Sequence, residues 1–209
     1  MPLISSPSEP SHPRRKPSRS AILKALAEGT AYARRQAARD LIGVPEAEAA
    51  LIRQLEREED PAVRRALLDT LTGFGGARVT ATLIAMLRQD DAGRRNEAVT
   101  ALQQLSQEVA LHMADLLSDP DPDMRIMAVD VLRLLPHPEA PHWLHDLLLR
   151  ETHVNVAGVA IDRLAEIGTP AHLPALEAAR TRFAAEPYIG FAADLVIRRI
   201  RALDAEGPR

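Results

Sequence analysis

The 209-residue chain has no cysteine, which excludes disulfide bonds, thiolate metal ligands and a cysteine nucleophile. Aromatic residues make up only 3% of it, which argues against an all-β fold and suits closely packed helices. No apolar run approaches the roughly 20 residues that a membrane-spanning helix needs, and the first 20 residues lack the apolar core of a signal peptide. These absences favour a cytoplasmic protein without a membrane partner.

Negative charge dominates once the first 20 residues are set aside. There, Arg14, Arg15, Lys16 and Arg19 stand against Glu9, so this segment carries +3 while the whole chain carries −3 and the remainder −6. An acidic average field repels a phosphate backbone. Nucleic acid is therefore a disfavoured partner.

What the chain does contain is a repeated pair of helices, clearest in residues 60–87. Asp60 is placed to cap the first helix and Pro61 suits its first position. Gly73, Gly75 and Gly76 are expected to end that helix, since glycine takes left-handed backbone angles cheaply. Each helix carries one apolar stripe that it cannot bury alone, so the hairpin needs neighbours.

The neighbours appear as columns of residues that recur about every 31 positions. Such self-similarity is typical of a solenoid, in which each hairpin packs on those beside it. The columns are, in the first helices, Leu41, Leu71, Leu102, Leu132, Leu164 and Ile197, with Ala37, Leu67, Ala98, Ala128, Ala160 and Ala193 four positions earlier, and, in the second helices, Leu51, Leu83, Met113, Leu144 and Leu176.

The segments DPAVRR and DPDMRI, each followed by a helix rich in alanine and leucine, resemble the start of a HEAT repeat. The period resembles the short HEAT-like subtype named after phycobilisome lyases. This resemblance spans residues 20–201 and implies an all-α, right-handed α-solenoid of about five to six hairpins. We expect a single repeat domain at 20–203, a disordered Pro/Ser/Arg-rich arm at 1–19 and a flexible tail at 204–209. The last helix is expected to be a cap with a polar outer face.

An arginine column runs along the first helices. Arg64, Arg95 and Arg125 each follow an aspartate, namely Asp60, Asp91 and Asp121, by four residues. A guanidinium can bond a carboxylate or a free carbonyl of an adjacent repeat through two parallel N–H groups. The pattern therefore predicts a structural Asp–Arg ladder, with an anion-binding stripe as its alternative.

A second group of polar residues lies on the second helices of repeats three and four. Its members are His112, Asp115, His142, Trp143, His145 and Asp146. Imidazole and carboxylate one turn apart could bind a metal, but neighbouring helices lie about 8–10 Å apart, and the His-Glu pairs of the HEAT-like deoxyhypusine hydroxylases are missing. We expect neither a metal nor a cofactor here. The column of Trp143 otherwise holds no large apolar residue, which indicates a half-exposed ring. Such a ring either anchors a partner or packs locally under a loop.

The sequence therefore predicts a non-enzymatic scaffold or adaptor that binds another protein through the concave face of its solenoid. Serine nucleophile motifs and phosphate-binding glycine loops are absent, and no acid–base pair stands out. Two alternatives follow from the resemblance. Phycobilin lyases attach bilins to cysteines of a client, so a chain without cysteine could act in that way. HEAT-like DNA glycosylases need a basic concave surface, whereas the corresponding columns here are mixed or acidic.

Overall fold

The computed structural model describes residues 17–135 and 137–206, and within these residues every regular element is helical. The predicted all-α repeat fold is confirmed. Residues 1–16 of the expected arm and residues 207–209 of the expected tail lie outside the described part. The chain divides into two compact units, the first ending at Leu67 and the second beginning at Leu68. The single domain at 20–203 stays a prediction.

The first two helices of the first unit are capped at their N-termini by hydroxyl side chains. The Ser18 and Thr30 hydroxyls accept the backbone N–H groups of Ala21 and Ala33, and so satisfy donors that a helix start leaves free. Its elements are α1 (Arg19–Glu28), α2 (Ala31–Asp40), a 3-10 turn (Pro45–Ala47), α3 (Glu48–Arg57) and the first half of α4 (Pro61–Phe74).

In the second unit the first helices of successive repeats pack in series: α6 on α9, α9 on α11, and α11 on α13. Between the second helices, α10 packs on α12. The elements that follow α4 are α5 (Gly76–Met86), α6 (Ala92–Gln104), α7 (Ser106–Ala110), α8 (Met113–Leu116), α9 (Pro122–Arg133), α10 (Ala140–Arg150), α11 (Val154–Ile167), a 3-10 turn (Pro170–His172), α12 (Leu173–Arg182) and α13 (Pro187–Glu206).

The three apolar columns form the core of the repeats, as the periodicity predicts. No member of any column is more than 3% exposed, and all five members of the second-helix column are fully buried. Burying a leucine stabilises the fold by roughly 1.5–3 kcal/mol. The alanines four positions before the leucines let neighbouring helices approach closely.

The glycine turn after α4 is shorter than predicted. Gly73 lies inside α4, while Gly75 and Gly76 have φ of 65° and 82° and make the turn. A side chain at position 75 would also place its Cβ 2.8 Å from Glu108 Oε1. The backbone angle therefore requires glycine at position 75, whereas the close contact needs only a shift of the flexible Glu108 side chain.

The second helix of the third repeat is broken, although the apolar periodicity of residues 108–117 predicts one continuous helix. The structure divides it into α7 and α8, with Leu111 and His112 forming a turn between them. Leu111 is 82% exposed as a result. Neither glycine nor proline occurs in this segment, so no residue type marks the break in advance.

The outer face of the last helix, α13, is only partly polar, whereas the sequence predicts a cap with a polar outer face. Tyr188, Phe191 and Leu195 are all more than half exposed, and Arg198 and Arg199 continue the exposed face towards the C-terminus. The arginines fit the prediction, and the three apolar side chains contradict it.

Candidate functional site

Helix α10 presents the side chains that the sequence singles out in the fourth repeat. It buries Leu144, Leu147 and Leu148 completely, which fixes the rotation of the helix. The remaining positions then hold four partly or largely exposed polar and aromatic side chains, which we call the α10 surface: His142, Trp143, His145 and Asp146.

Trp143 is held by a stacking contact with His137. The two rings lie 4.7 Å apart between centroids, at an interplanar angle of 15°. The Glu139 N–H donates to His137 Nδ1 over 3.2 Å, which fixes the imidazole in the loop before α10. Trp143 is half-buried. The result is a preordered aromatic pair that still reaches solvent. Sequence periodicity could not indicate His137, because it lies in a loop outside the columns.

His142 and Asp146 form a second pair on the same helix, four residues apart. His142 Nε2 lies 3.4 Å from Asp146 Oδ2, and the side chains are 64% and 45% exposed. Such a pair adds little to stability because water screens it. It offers a donor and an acceptor beside the tryptophan.

His145 faces His172, which precedes α12, with ring centroids 5.9 Å apart in an edge contact. His172 is only 5% exposed. Its Nδ1 accepts the Thr169 N–H over 3.0 Å and its Nε2 lies 3.1 Å from the Pro141 carbonyl oxygen, so the proton is assigned to Nε2. His172 thus connects the start of α10 to the next repeat. Its neighbours in sequence gave no sign of this role.

His112 and Asp115 lie on the third repeat, and their placement differs from the prediction. His112 belongs to the turn between α7 and α8, and Asp115 is exposed on α8. Within residues 17–135 and 137–206, no hydrogen bond or ion pair joins either residue to the α10 surface. The same residues contain no group of three or more histidine, aspartate or glutamate side chains arranged to hold a metal.

The arginine column, whose member in the first repeat is Arg34, bonds glutamates and carbonyl oxygens. Arg34 donates through Nε and Nη2 to both oxygens of Glu58, each over 2.7 Å, and Arg125 does the same to Glu151 over 2.8 Å. Each arginine also donates to a carbonyl just before its own helix, at Gly29 and at Asp119. The guanidinium therefore fastens the loop that starts a repeat to the loop that ends it.

The aspartates of the column act as helix caps. Asp60 accepts from two N–H groups of the first turn of α4, Asp91 accepts the Arg94 N–H, and Asp121 accepts the Asp123 N–H. The carboxylate partner of Arg125 is Glu151 and not Asp121. Arg64 donates to the backbone carbonyl of Glu59. Arg95 donates to the backbone carbonyls of Gln89 and Asp90.

The two glutamates are buried anions, Glu58 being 1% and Glu151 4% exposed. Burial alone would raise the pKa of Glu58, but hydrogen bonds from Arg34, Gln54 and the Asp60 N–H outweigh it and lower this pKa to about 2. Burial likewise opposes the bonds that Glu151 receives from Arg125 and two backbone N–H groups, and the balance lowers the pKa of its carboxyl. In each case a hydrogen bond from the arginine is the largest of the contributions that lower the pKa and favour the carboxylate.

The family model for HEAT repeats matches residues 19–103 and 110–185. The chain belongs to the HEAT-repeat family. The family predicted from DPAVRR and DPDMRI is thus confirmed. Among the described residues of this HEAT-repeat protein, no helix combines the length and apolar character needed to cross a membrane.

One relative is the "Uncharacterized phycocyanin operon protein Z" of Pseudanabaena tenuis, 29% identical over 152 residues, which cover 68% of this chain and 75% of the relative. Among solved structures, an engineered protein gives a TM-score of 0.43 at 17% identity, covering 88% of this chain and 96% of its own. The complex of CpcE and CpcF of phycocyanin lyase from Nostoc gives 0.39 at 18% identity, covering 93% of this chain and 100% of its own.

Proposed function

We propose that this HEAT-repeat chain is a non-enzymatic scaffold that binds another protein, with the α10 surface as its contact site. The observation that carries the proposal is the stacked pair of Trp143 and His137. A half-exposed tryptophan is among the side chains that dominate binding energy at protein interfaces. His112 and Asp115 belong to this contact only if the partner also extends over α8.

Preorganisation makes the α10 surface suitable for this role. Ordering a free side chain at an interface costs roughly 0.5–1.5 kcal/mol, and the stack on His137 removes much of that cost before binding. The His142–Asp146 pair beside it supplies one donor and one acceptor for a polar rim. The matching partner surface is a pocket for an indole ring, bordered by polar groups.

The proposal contains no catalytic step. The two buried charged pairs described above, Arg34–Glu58 and Arg125–Glu151, hold the repeat scaffold together and are assigned no catalytic role. None of the histidines of the α10 surface is hydrogen-bonded to a serine or threonine that could serve as a nucleophile, within the part of the chain that the structure describes.

A second candidate is a bilin-lyase-like role, in which the chain handles a chromophore or its client protein. The relative that carries the phycocyanin operon name favours it. Only one tryptophan, two tyrosines and three phenylalanines are available to stack on a tetrapyrrole, which weighs against it. If the chain binds a bilin at the α10 surface, phycocyanobilin will quench Trp143 fluorescence and its own absorption spectrum will shift.

The experiment for the scaffold compares the full-length chain with Trp143→Ala and, as a matched control, Tyr32→Ala, which removes an exposed aromatic ring of the first unit. The ligands are proteins captured from the source organism and, as a defined ligand, purified phycocyanin. The affinity of each ligand is measured for the wild type and for the two variants. We expect Trp143→Ala to weaken binding about 30-fold or more, the effect of a residue worth at least about 2 kcal/mol.

Equal affinity of the wild type and Trp143→Ala for every captured protein would refute the α10 surface as the contact site. Loss of binding in Tyr32→Ala alone would move the contact to the first unit. A bilin-dependent spectral change without any protein ligand would favour the second candidate.

A further inference from the structure

Helix α13 has an apolar inner face and an exposed outer face of mixed character. Its inner face packs on α11 and α12, and buries Ile189, Ala193, Val196, Ile197 and Ile200. The outer face begins with Tyr188, Phe191 and Leu195, which are 59%, 67% and 53% exposed. In an isolated chain these three large side chains are in water, which is an unfavourable state for a contiguous apolar group.

The C-terminal half of the same face is cationic. Arg198 and Arg199 follow at positions that place them on the line of Tyr188, Phe191 and Leu195, because residues three and four apart share a helix face. Arg199 donates to the Glu166 carbonyl over 3.3 Å. Arg198 is exposed and, among residues 17–135 and 137–206, has no hydrogen-bond or ion-pair partner. Its guanidinium is available for another contact.

We propose that α13 pairs with α13 of a second copy of this chain, antiparallel, about a twofold axis near Leu195. Phe191 lies four residues before Leu195, and Arg198 lies three after it. An antiparallel arrangement therefore places Phe191 of one copy against Arg198 of the other, and the twofold axis makes this contact twice. Leu195 meets its own counterpart at the centre.

The chemistry of the two half-faces favours a second copy as the occupant. An arginine over an aromatic ring is attracted by the ring's negative face, with roughly 0.5–1 kcal/mol at exposed sites and more when water is excluded. The chain already uses such a contact, since the Arg35 guanidinium carbon lies 5.7 Å from the Tyr32 ring centroid. A parallel arrangement would bring Arg198 against Arg198 and is disfavoured by like-charge repulsion.

The contact is small, which predicts a weak dimer. Residues 188–199 extend over only about 17 Å at a rise of about 1.5 Å per residue. A pair of helix faces of this length buries less area than the roughly 1,600 Å² of a standard interface. We expect dissociation in the micromolar range, so that the dimer forms at high protein concentration and dissociates on dilution. This proposal does not depend on the proposed function, because α10 takes no part in it.

Sedimentation equilibrium of the full-length chain at concentrations from about 5 to 500 μM tests the pairing. The wild type is expected to shift from monomer to dimer. Phe191→Arg sets an arginine against Arg198 and should raise the dimer dissociation constant at least tenfold. The double variant Phe191→Arg, Arg198→Glu sets arginine against glutamate in both symmetric contacts and should restore the dimer. Leu134→Arg, a change of the same kind at a side chain 69% exposed outside α13, serves as the control.

A wild type that stays monomeric at 500 μM would refute the proposal. A dimer that survives Phe191→Arg, or that the double variant fails to restore while circular dichroism shows native helix content, would refute this antiparallel register. Dimer loss in Leu134→Arg together with an unchanged Phe191→Arg would place the interface elsewhere.

Discussion

Arg95 and Arg125 occupy the same position in consecutive repeats of the second unit, yet their guanidinium groups bond different partners. Arg125 holds both oxygens of the buried Glu151, whereas Arg95 bonds two backbone carbonyls. The residue two before the next helix cap explains the difference. It is Glu151 after Arg125 but Asp119 after Arg95, and the shorter Asp119 is paired with Arg88 instead. The two repeats thus differ in which arginine holds the carboxylate before the next helix: Arg125 holds Glu151, and Arg88 holds Asp119.

The largest expected effect comes from breaking the buried pair. Arg125→Ala leaves Glu151, 4% exposed, as an uncompensated charge, and such a change costs about 3–5 kcal/mol. Urea unfolding followed by circular dichroism measures the free energy of unfolding. Arg133→Ala removes an exposed pair with Asp130 and is the control, with an expected change below about 1 kcal/mol. Equal losses in the two variants would show that burial of the carboxylate contributes nothing.

Acid should weaken the corresponding ion pair of the first unit, Arg34–Glu58. Because folding lowers the pKa of Glu58 from 4.5 to about 2, its contribution is complete above pH 4.5 and is lost as the pH falls from there towards 2. Between pH 6 and pH 3 we expect the wild type to lose about 2 kcal/mol more than Glu58→Gln, whose amide does not titrate. If the free energies of unfolding of the two proteins change equally with pH, the ionised Glu58 does not contribute to stability as predicted.

Arg95→Ala is expected to cost less than Arg125→Ala, about 1–2 kcal/mol. It removes hydrogen bonds to carbonyls that water can partly replace, and it leaves no buried carboxylate unpaired. The same urea titration compares it with Arg125→Ala. If Arg95→Ala costs as much as Arg125→Ala, the distinction between the two repeats is wrong.

The sequence predicts the fold well because its signals are periodic. Leu71, Leu102 and Leu132 recur at a fixed spacing, and a column that keeps its volume over six copies can only be a buried one. The arginine column is visible for the same reason. The glutamate partners of these arginines are not visible in the same way. At the position two residues before each helix cap, Glu58 and Glu151 are separated by Gln89 and Asp119. Counting two residues back from each helix cap would have found them.

The candidate site is less predictable, because it depends on residues that do not repeat. Trp143 could be assigned to a half-exposed position from its column, but His137 reaches it from a loop. His172 reaches His145 from a 3-10 turn. The break at Leu111 and His112 arises within a segment whose apolar pattern is continuous. Side-chain contacts that occur in only one repeat do not contribute to the periodic pattern of the sequence, so that pattern cannot predict them.

The arginine–glutamate pairs also act as crosslinks in a chain that cannot form a covalent one. Arg34 and Glu58 are 24 residues apart and Arg125 and Glu151 are 26, so each pair closes a ring of the size that a disulfide often closes. Unlike a disulfide, the ring opens reversibly on unfolding and is indifferent to reducing agents. A mechanical pull would have to break the ion pair and also unfold the two helices of the ring before those residues could extend.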